Sequence, residues 1–216
     1  MNRPQLRLVL AVSLDGRLAP PVGGAAQLGG AADRRVLEEA LAWADGALLG
    51  AGTLRSHGCT CLIHAEPLLA VRRRQGLGDQ PIAIVASRAG VLDPELPFFR
   101  QPLQRWLLRS AAGSAQAEGF DQVLPLGSWP AALQGLASLG VRRLVVLGGA
   151  DLASALLDQG LIDELQLTLT PLLLGGPHHW SQAMPRAAVG RHWRLLEARP
   201  LGGEELLVRY GRASSD

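Results

Sequence analysis

Short apolar blocks of strand length alternate along this chain with stretches whose apolar positions recur every third or fourth residue. Leu6–Ser13 (LRLVLAVS) is the first block; only Arg7 interrupts it, and it predicts a buried strand. Ala31–Ala44 has helical spacing, with Val36, Leu37, Ala40, Leu41 and Ala44 on one face and Arg34, Arg35, Glu38 and Glu39 on the other. Gly46–Leu49 and Pro81–Ala86 (PIAIVA) predict buried strands, and Arg105–Arg109 and Gln122–Leu124 two more. Glu66–Gln75 predicts a helix ended by Gly76. Pro130–Leu139 predicts another, with Pro at its N-terminal position and Gly140 as its stop. Arg143–Leu147 reads as strand, Asp151–Asp158 as helix and Asp163–Thr170 (DELQLTLT) as strand.

The last third changes character. His192–Ala198 and Glu204–Tyr210 alternate more clearly and are joined through Leu201-Gly202-Gly203, which predicts an antiparallel hairpin. Strands alternating with helices imply a mostly parallel sheet covered on both faces, with the hairpin adding antiparallel edge strands. No linker interrupts the pattern, so residues 1–216 read as one domain. Residues 176–190 are rich in Gly, Pro and polar residues and read as a loop beside an active site or an interface.

Composition narrows the chemistry. The formal charge is +2 and the longest basic block is Arg72-Arg73-Arg74, which argues against a nucleic-acid partner. That triplet reads as the solvated end of a helix. There is no Lys; all 21 basic residues are Arg, which excludes a Schiff-base lysine and a Walker-type phosphate loop. A fixed cation must therefore be Arg, or His near its pKa. Cys59 and Cys61 are too close for an ordinary disulfide framework and read as thiols in a reducing compartment. With His57 and His64 they also suggest a metal set, but so short a segment leaves little room for tetrahedral closure. No apolar run approaches ~18 residues and no leader pattern precedes the first strand, so neither a membrane partner nor secretion is expected; the cytoplasm is the default.

Gly148-Gly149 stand between a strand end and a helix start. Bare backbone amides there can meet a phosphate, and the helix dipole favours negative charge. Alone, such a pair is a tight turn as readily as a binding site. Ser13-Leu14-Asp15-Gly16, Ala44–Arg55 (ADGALLGAGTLR), Val145–Leu152 (VVLGGADL), and Leu161–Leu165 with Pro171–Gly175 add order and spacing to it. Taken together, these four segments resemble the pyrimidine reductase family of riboflavin biosynthesis. That family is the reductase half of a bifunctional deaminase–reductase, and it shares the fold of dihydrofolate reductase. No zinc-deaminase motif accompanies them.

The resemblance implies a dihydrofolate reductase-like three-layer α/β/α fold. It implies NADPH-dependent reduction of the ribosylamino group of a pyrimidine 5′-phosphate to ribitylamino, and pairing of the chain as a homodimer. It places the cofactor on Val12, Ser13, Thr53, Gly148, Gly149, Ala150, Asp151 and Leu152, with Ser87 and Arg88 near the ribose or 2′-phosphate. Asp15 is a candidate for proton transfer or substrate orientation. Each has a plainer reading: Ser13 and Thr53 as caps, Asp15-Gly16 as a turn, Arg88 as a solvated charge.

Several positions depart from the family. Leu147 stands where a substrate-binding Glu is usual, His57 where an Asp is, His64 near the place of an Arg, Leu41 in place of another Arg and Val9 in place of a Lys. Either Arg55, His57 and His64 take the substrate phosphate in a rearranged pocket, or the substrate is a different heterocycle. A binding protein for a pterin- or flavin-like ligand, without catalysis, is the remaining alternative.

Overall fold

Each apolar block of the sequence is a strand in the computed structural model, which describes residues 3–24, 28–110, 117–181, 190 and 192–213. The elements are β1 (Gln5–Ser13), α1 (Ala31–Trp43), β2 (Gly46–Gly50), α2 (Ala51–His57), α3 (Glu66–Arg74), β3 (Ile82–Ser87), β4 (Arg105–Arg109), β5 (Gln122–Pro125), α4 (Trp129–Ser138), β6 (Arg143–Val146), α5 (Ala150–Asp158), β7 (Glu164–Thr170), β8 (Trp193–Pro200) and β9 (Leu206–Arg212). The architecture is mixed α/β, with parallel strands and an antiparallel C-terminal pair, as the pattern predicts. The chain forms two compact units, Met1–Gln5 with Glu38–Val145, and Leu6–Leu37 with Val146–Asp216.

In the first unit the strand order is β5-β4-β3-β2-β6. β2, β3, β4 and β5 run parallel, and the register Gly50↔Ala86, Ser87↔Arg109 and Arg109↔Pro125 brings their C-terminal ends level. Leu48, Leu49, Ile84, Val85, Leu107 and Leu108 are buried, which accounts for the continuous apolar runs. Asp45 ties β2 to β6: its Oδ2 accepts from the amides of Arg142 and Arg143, each at 2.8 Å. Ser128 caps α4, accepting from Ala131 N at 3.4 Å, and Gly140 follows with φ +92°.

Arg73 and Arg74 are exposed in the last turn of α3, as the reading of a solvated helix end expects, and Arg72 corrects it. Arg72 is buried, and its guanidinium donates to Leu41, Ala42 and Ala44 carbonyls at the end of α1 and to Gly78 O. It closes the last turn of α1, which has no basic residue of its own there. Arg73 instead pairs on the surface with Glu66 and Asp79.

In the second unit the order is β1-β7-β9-β8. β1 and β7 are parallel, with Ser13 opposite Thr170; β9 pairs antiparallel with β7 and with β8. Arg7, the one charge in the first strand block, lies opposite Glu164 and donates to it at 2.8 Å. Asp163 ties β1 to β7, accepting from Leu6 N at 2.9 Å while its own amide donates to Leu6 O. The hairpin turns through Gly203 and Glu204, both in the left-handed region at φ +73° and +64°. Among the described residues no helix is long and apolar enough to cross a membrane.

Candidate active site

In the second unit the candidate residues gather at the C-terminal ends of β1 and β7 and at the start of α5, where ligands of parallel α/β sheets bind. Gly148 has φ +84°, which favours glycine, and a Cβ there would meet Leu10 Cδ2 at 3.1 Å, so that side chain would have to give way. Gly149 is the N-cap of α5, and as glycine it brings no side chain to accept from the first-turn amides. Amides at such a helix start suit an anionic ligand or water. Leu152 is buried, so only its backbone is available; Asp151 is exposed in the first turn. Val12 is buried, and its carbonyl accepts from Thr170 Oγ1 at 3.2 Å.

Ser13 and Asp15 form a local network. Ser13 Oγ donates to Asp15 Oδ1 at 2.6 Å and accepts from Arg17 N at 2.8 Å. Asp15 Oδ1 also accepts from Leu174 N at 3.1 Å, Oδ2 accepts from Gly175 N at 2.7 Å, and Arg17 lies 3.5 Å away. The Ser13 hydroxyl foremost, and then the loop amides, hold the Asp15 carboxyl well below the usual carboxylate range. A carboxylate so engaged stays ionised and accepts. It fastens the turn after β1 to the 171–175 loop.

In the first unit Thr53 stands at the third residue of α2, a helix that the sequence pattern does not announce. The N-cap there is Gly50, so Thr53 is not the cap. Ser87 ends β3, buried, with Oγ accepting from Gly90 N at 3.0 Å; Arg88 beside it is exposed. Arg55 and His57 are both exposed on α2 but two residues apart, roughly 200° around the helix. They do not share a face, and Arg55 donates to Val91 O at 3.1 Å. His64 lies exposed on a loop fixed by three side chains. The Gln101 amide bonds both N and O of Thr60, the Gln80 amide both N and O of Ile63, and Glu38 Oε2 accepts from His64 N and Ala65 N. The loop that carries Cys59, Cys61 and His64 is thus held without regular structure.

One polar group escaped the sequence reading. Asp33, in the first turn of α1, is bonded by Thr168 of β7, and Glu205 lies close enough to act on its charge. Burial pushes the Asp33 carboxyl up. The only advance signals are Gly29-Gly30 ahead of a helical acid and two Thr in DELQLTLT, and each is ordinary alone.

Residues 4–207 match the sequence profile of the RibD C-terminal domain. The chain belongs to the RibD C-terminal domain family. Among its relatives is the 2,5-diamino-6-ribosylamino-4(3H)-pyrimidinone 5′-phosphate reductase of Archaeoglobus fulgidus, 26% identical over 184 residues, 81% of this chain and 83% of that one. Among solved structures it is similar to a pyrimidine reductase-like protein of Corynebacterium diphtheriae, at 20% identity and TM-score 0.79, over 99% of this chain and 94% of that one. Dihydrofolate reductase of Enterococcus faecalis shares the fold at TM-score 0.59 and 16% identity, over 97% of each chain. The resemblance read from the four motifs, and the fold it implied, are borne out. Within the family, the acids of three of those motifs, Asp15, Asp45 and Asp163, serve here as ties between backbone segments.

Proposed function

We propose that the chain is an NADPH-dependent reductase that converts the ribosylamino group of a pyrimidine 5′-phosphate to ribitylamino in riboflavin biosynthesis. The observation that carries this reading is the Gly148-Gly149 turn, with Gly148 in the left-handed region, placed at the start of α5 in a chain matched to a reductase family. The name of the A. fulgidus relative supports the substrate class. The family match runs through both compact units, which supports one working domain.

The glycine turn fits a dinucleotide, since its amides and the α5 dipole suit a pyrophosphate and Gly149 brings no capping side chain of its own. Bound, the cofactor supplies a hydride for C1′ of the ring-opened imine form of the ribosylamine. The protein's share is position and electrostatics. Gly148 to Leu152 present amides to phosphate, and Val12 and Ser13 end the strand beside them. Thr53, Ser87 and Arg88 are assigned to the cofactor as well, and Arg55, His57 and His64 to the substrate phosphate. Asp15 acts by holding the 171–175 loop. The cytoplasm and a homodimer belong to the same proposal.

Leu147 favours a second reading, reduction of a different heterocycle, because Leu cannot accept hydrogen bonds where the family has Glu. NADPH titration of the wild type and of Gly149→Asp tests the cofactor placement. Gly149 has φ −78°, so Asp is tolerated by the backbone, but its carboxylate would repel the pyrophosphate. NADPH affinity should fall at least tenfold with the melting temperature kept; unchanged affinity would refute the placement.

A further inference from the structure

The chain's two cysteines lie in the first unit, and neither the cofactor nor the phosphate reading uses them. Between them Thr60 is held by one side chain. Gln101 Oε1 accepts from Thr60 N at 3.0 Å, and Gln101 Nε2 donates to Thr60 O at 2.8 Å. One amide reaches both groups only where the N–H and C=O of a residue point the same way, as they do in an extended strand. Gln80 clamps Ile63 in the same manner, at 2.8 Å to N and O alike. Extended chain alternates its side chains. Thr60 is accordingly buried, 7% exposed, and the cysteines on either side share the opposite face, Cys59 exposed and Cys61 half-buried. The Thr60 hydroxyl is sealed from solvent with no hydrogen-bond partner among the described residues, which weakens its hold on the buried seat.

We propose that Cys59 and Cys61 are a reversible thiol–disulfide switch, in which the bridge and the Gln101 clamp exclude each other. Two residues of extended chain span roughly 6.6 Å, so same-face Cβ atoms two apart lie well beyond the ~3.8 Å that a disulfide requires. The bridge therefore closes only when Thr60 leaves the extended conformation, which turns its N–H and C=O apart and breaks the clamp. The oxidant is a small disulfide such as oxidised glutathione. The exposed Cys59 thiolate attacks one of its sulfurs and expels a thiolate; the Cys61 thiolate then attacks the Cys59 sulfur of the mixed disulfide and expels the second. One S–S bond breaks and one forms. The cysteine sulfurs are oxidised, and the two expelled thiolates take up the two protons. A bridge opposed by the clamp is easily reduced, so the clamped dithiol is the resting state under reducing conditions. The kink acts on both neighbours. His57 ends α2 two residues before Cys59, and His64, three residues after Cys61, is fixed through its amide to Glu38 Oε2 at 2.9 Å. The consequence for catalysis rests on the reductase reading above, in which these imidazoles take the substrate phosphate: oxidation raises the KM for that substrate.

The test equilibrates the wild type, Gln101→Leu, Thr60→Val and Cys59→Ser in glutathione buffers of graded [GSH]²/[GSSG]. After acid quenching and alkylation, intact mass separates the states, because the chain has two cysteines: the dithiol takes two alkyl groups and the bridged form none. Thermal melts under reducing conditions report the fold. The wild type should bridge reversibly. Gln101→Leu, deprived of both clamp hydrogen bonds, should bridge at a [GSH]²/[GSSG] roughly tenfold higher. Thr60→Val keeps the β-branched shape and removes the unpaired hydroxyl, so it should need a severalfold lower ratio. Glutathione adducts or intermolecular cross-links in place of the bridge, wild-type and Gln101→Leu midpoints within about twofold, or easier bridging in Thr60→Val overturns the switch. Should Gln101→Leu not fold, Thr60→Val decides. With the ribosylaminopyrimidine 5′-phosphate, oxidation of the wild type should raise KM at least fivefold with kcat kept. Dithiothreitol should reverse the change, and Cys59→Ser should not show it. An unchanged KM in the bridged protein overturns control of the phosphate site. No turnover by the reduced wild type sinks the reductase reading instead, and the mass measurement still decides whether bridge and clamp exclude each other.

Discussion

Replacing Arg72 by Met asks whether a buried guanidinium closes the end of α1. Arg72 is 1% exposed and donates to Leu41 O at 3.2 Å, Ala42 O at 3.3 Å, Ala44 O at 2.5 Å and Gly78 O at 2.7 Å. Leu41 O also accepts from Ala44 N and keeps a partner, but the other three carbonyls lose this donor. At about 1 kcal/mol for each buried carbonyl so deprived, the loss is about 3 kcal/mol. Met restores part of the apolar stem but none of the donors. Against a total stability of ~5–15 kcal/mol that is a large share. For a chain of this size it lowers the melting temperature by roughly 6–12 °C. Thermal and urea unfolding followed by circular dichroism reads the change. Arg74→Met, exposed on the same helix, should shift stability by no more than ~0.5 kcal/mol. Arg72→Lys should fall between the two, because an ammonium keeps the charge but not the planar fork. A melting temperature for Arg72→Met within 2 °C of the wild type, at a margin of roughly 1 kcal/mol, would refute the reasoning.

Gly148→Ala should destabilise by about 1–2 kcal/mol for the left-handed backbone, plus the displacement of Leu10. Gly140→Ala, at φ +92° with open space around it, isolates the backbone part, so equal losses at the two sites would show that Leu10 does not resist. Asp15 titrates below its unfolded value, so it contributes stability above pH ~4 that is lost as pH falls through the folded value. The melting temperature of the wild type should therefore fall more steeply between pH 5 and pH 2 than that of Asp15→Asn; parallel curves would contradict the network around Asp15. Asp45→Ala removes the acceptor of two backbone amides and should cost about 2 kcal/mol in urea unfolding. A loss under ~0.5 kcal/mol would mean that water replaces it.

The fold was legible because burial on both faces writes itself into composition. PIAIVA and RLVVL are continuous apolar runs, and the strands they predict are there. The hairpin was legible from alternation and from Gly202-Gly203. α2 was not, because AGTLRSH is too short to show a period and contains Gly, Thr and Ser. Arg72 was misread because three adjacent arginines look alike in sequence, while α1 lacks a cap only in the folded chain. The site was legible at its glycine turn, where backbone geometry constrains residue type. It was illegible where chemistry depends on long-range meetings: Asp33 and Glu205 lie 172 positions apart, and nothing in either neighbourhood announces the other. Nor does the motif announce that the Asp15 carboxylate accepts from the amides of Leu174 and Gly175.

The most direct test is NADPH consumption by the purified chain with authentic ribosylaminopyrimidine 5′-phosphate, offered in the 2-amino and the 2-oxo forms. The account predicts turnover of at least one of the two forms and a ribitylamino product. NADPH binding with no consumption on either form would contradict it and move the function to another substrate or to binding alone.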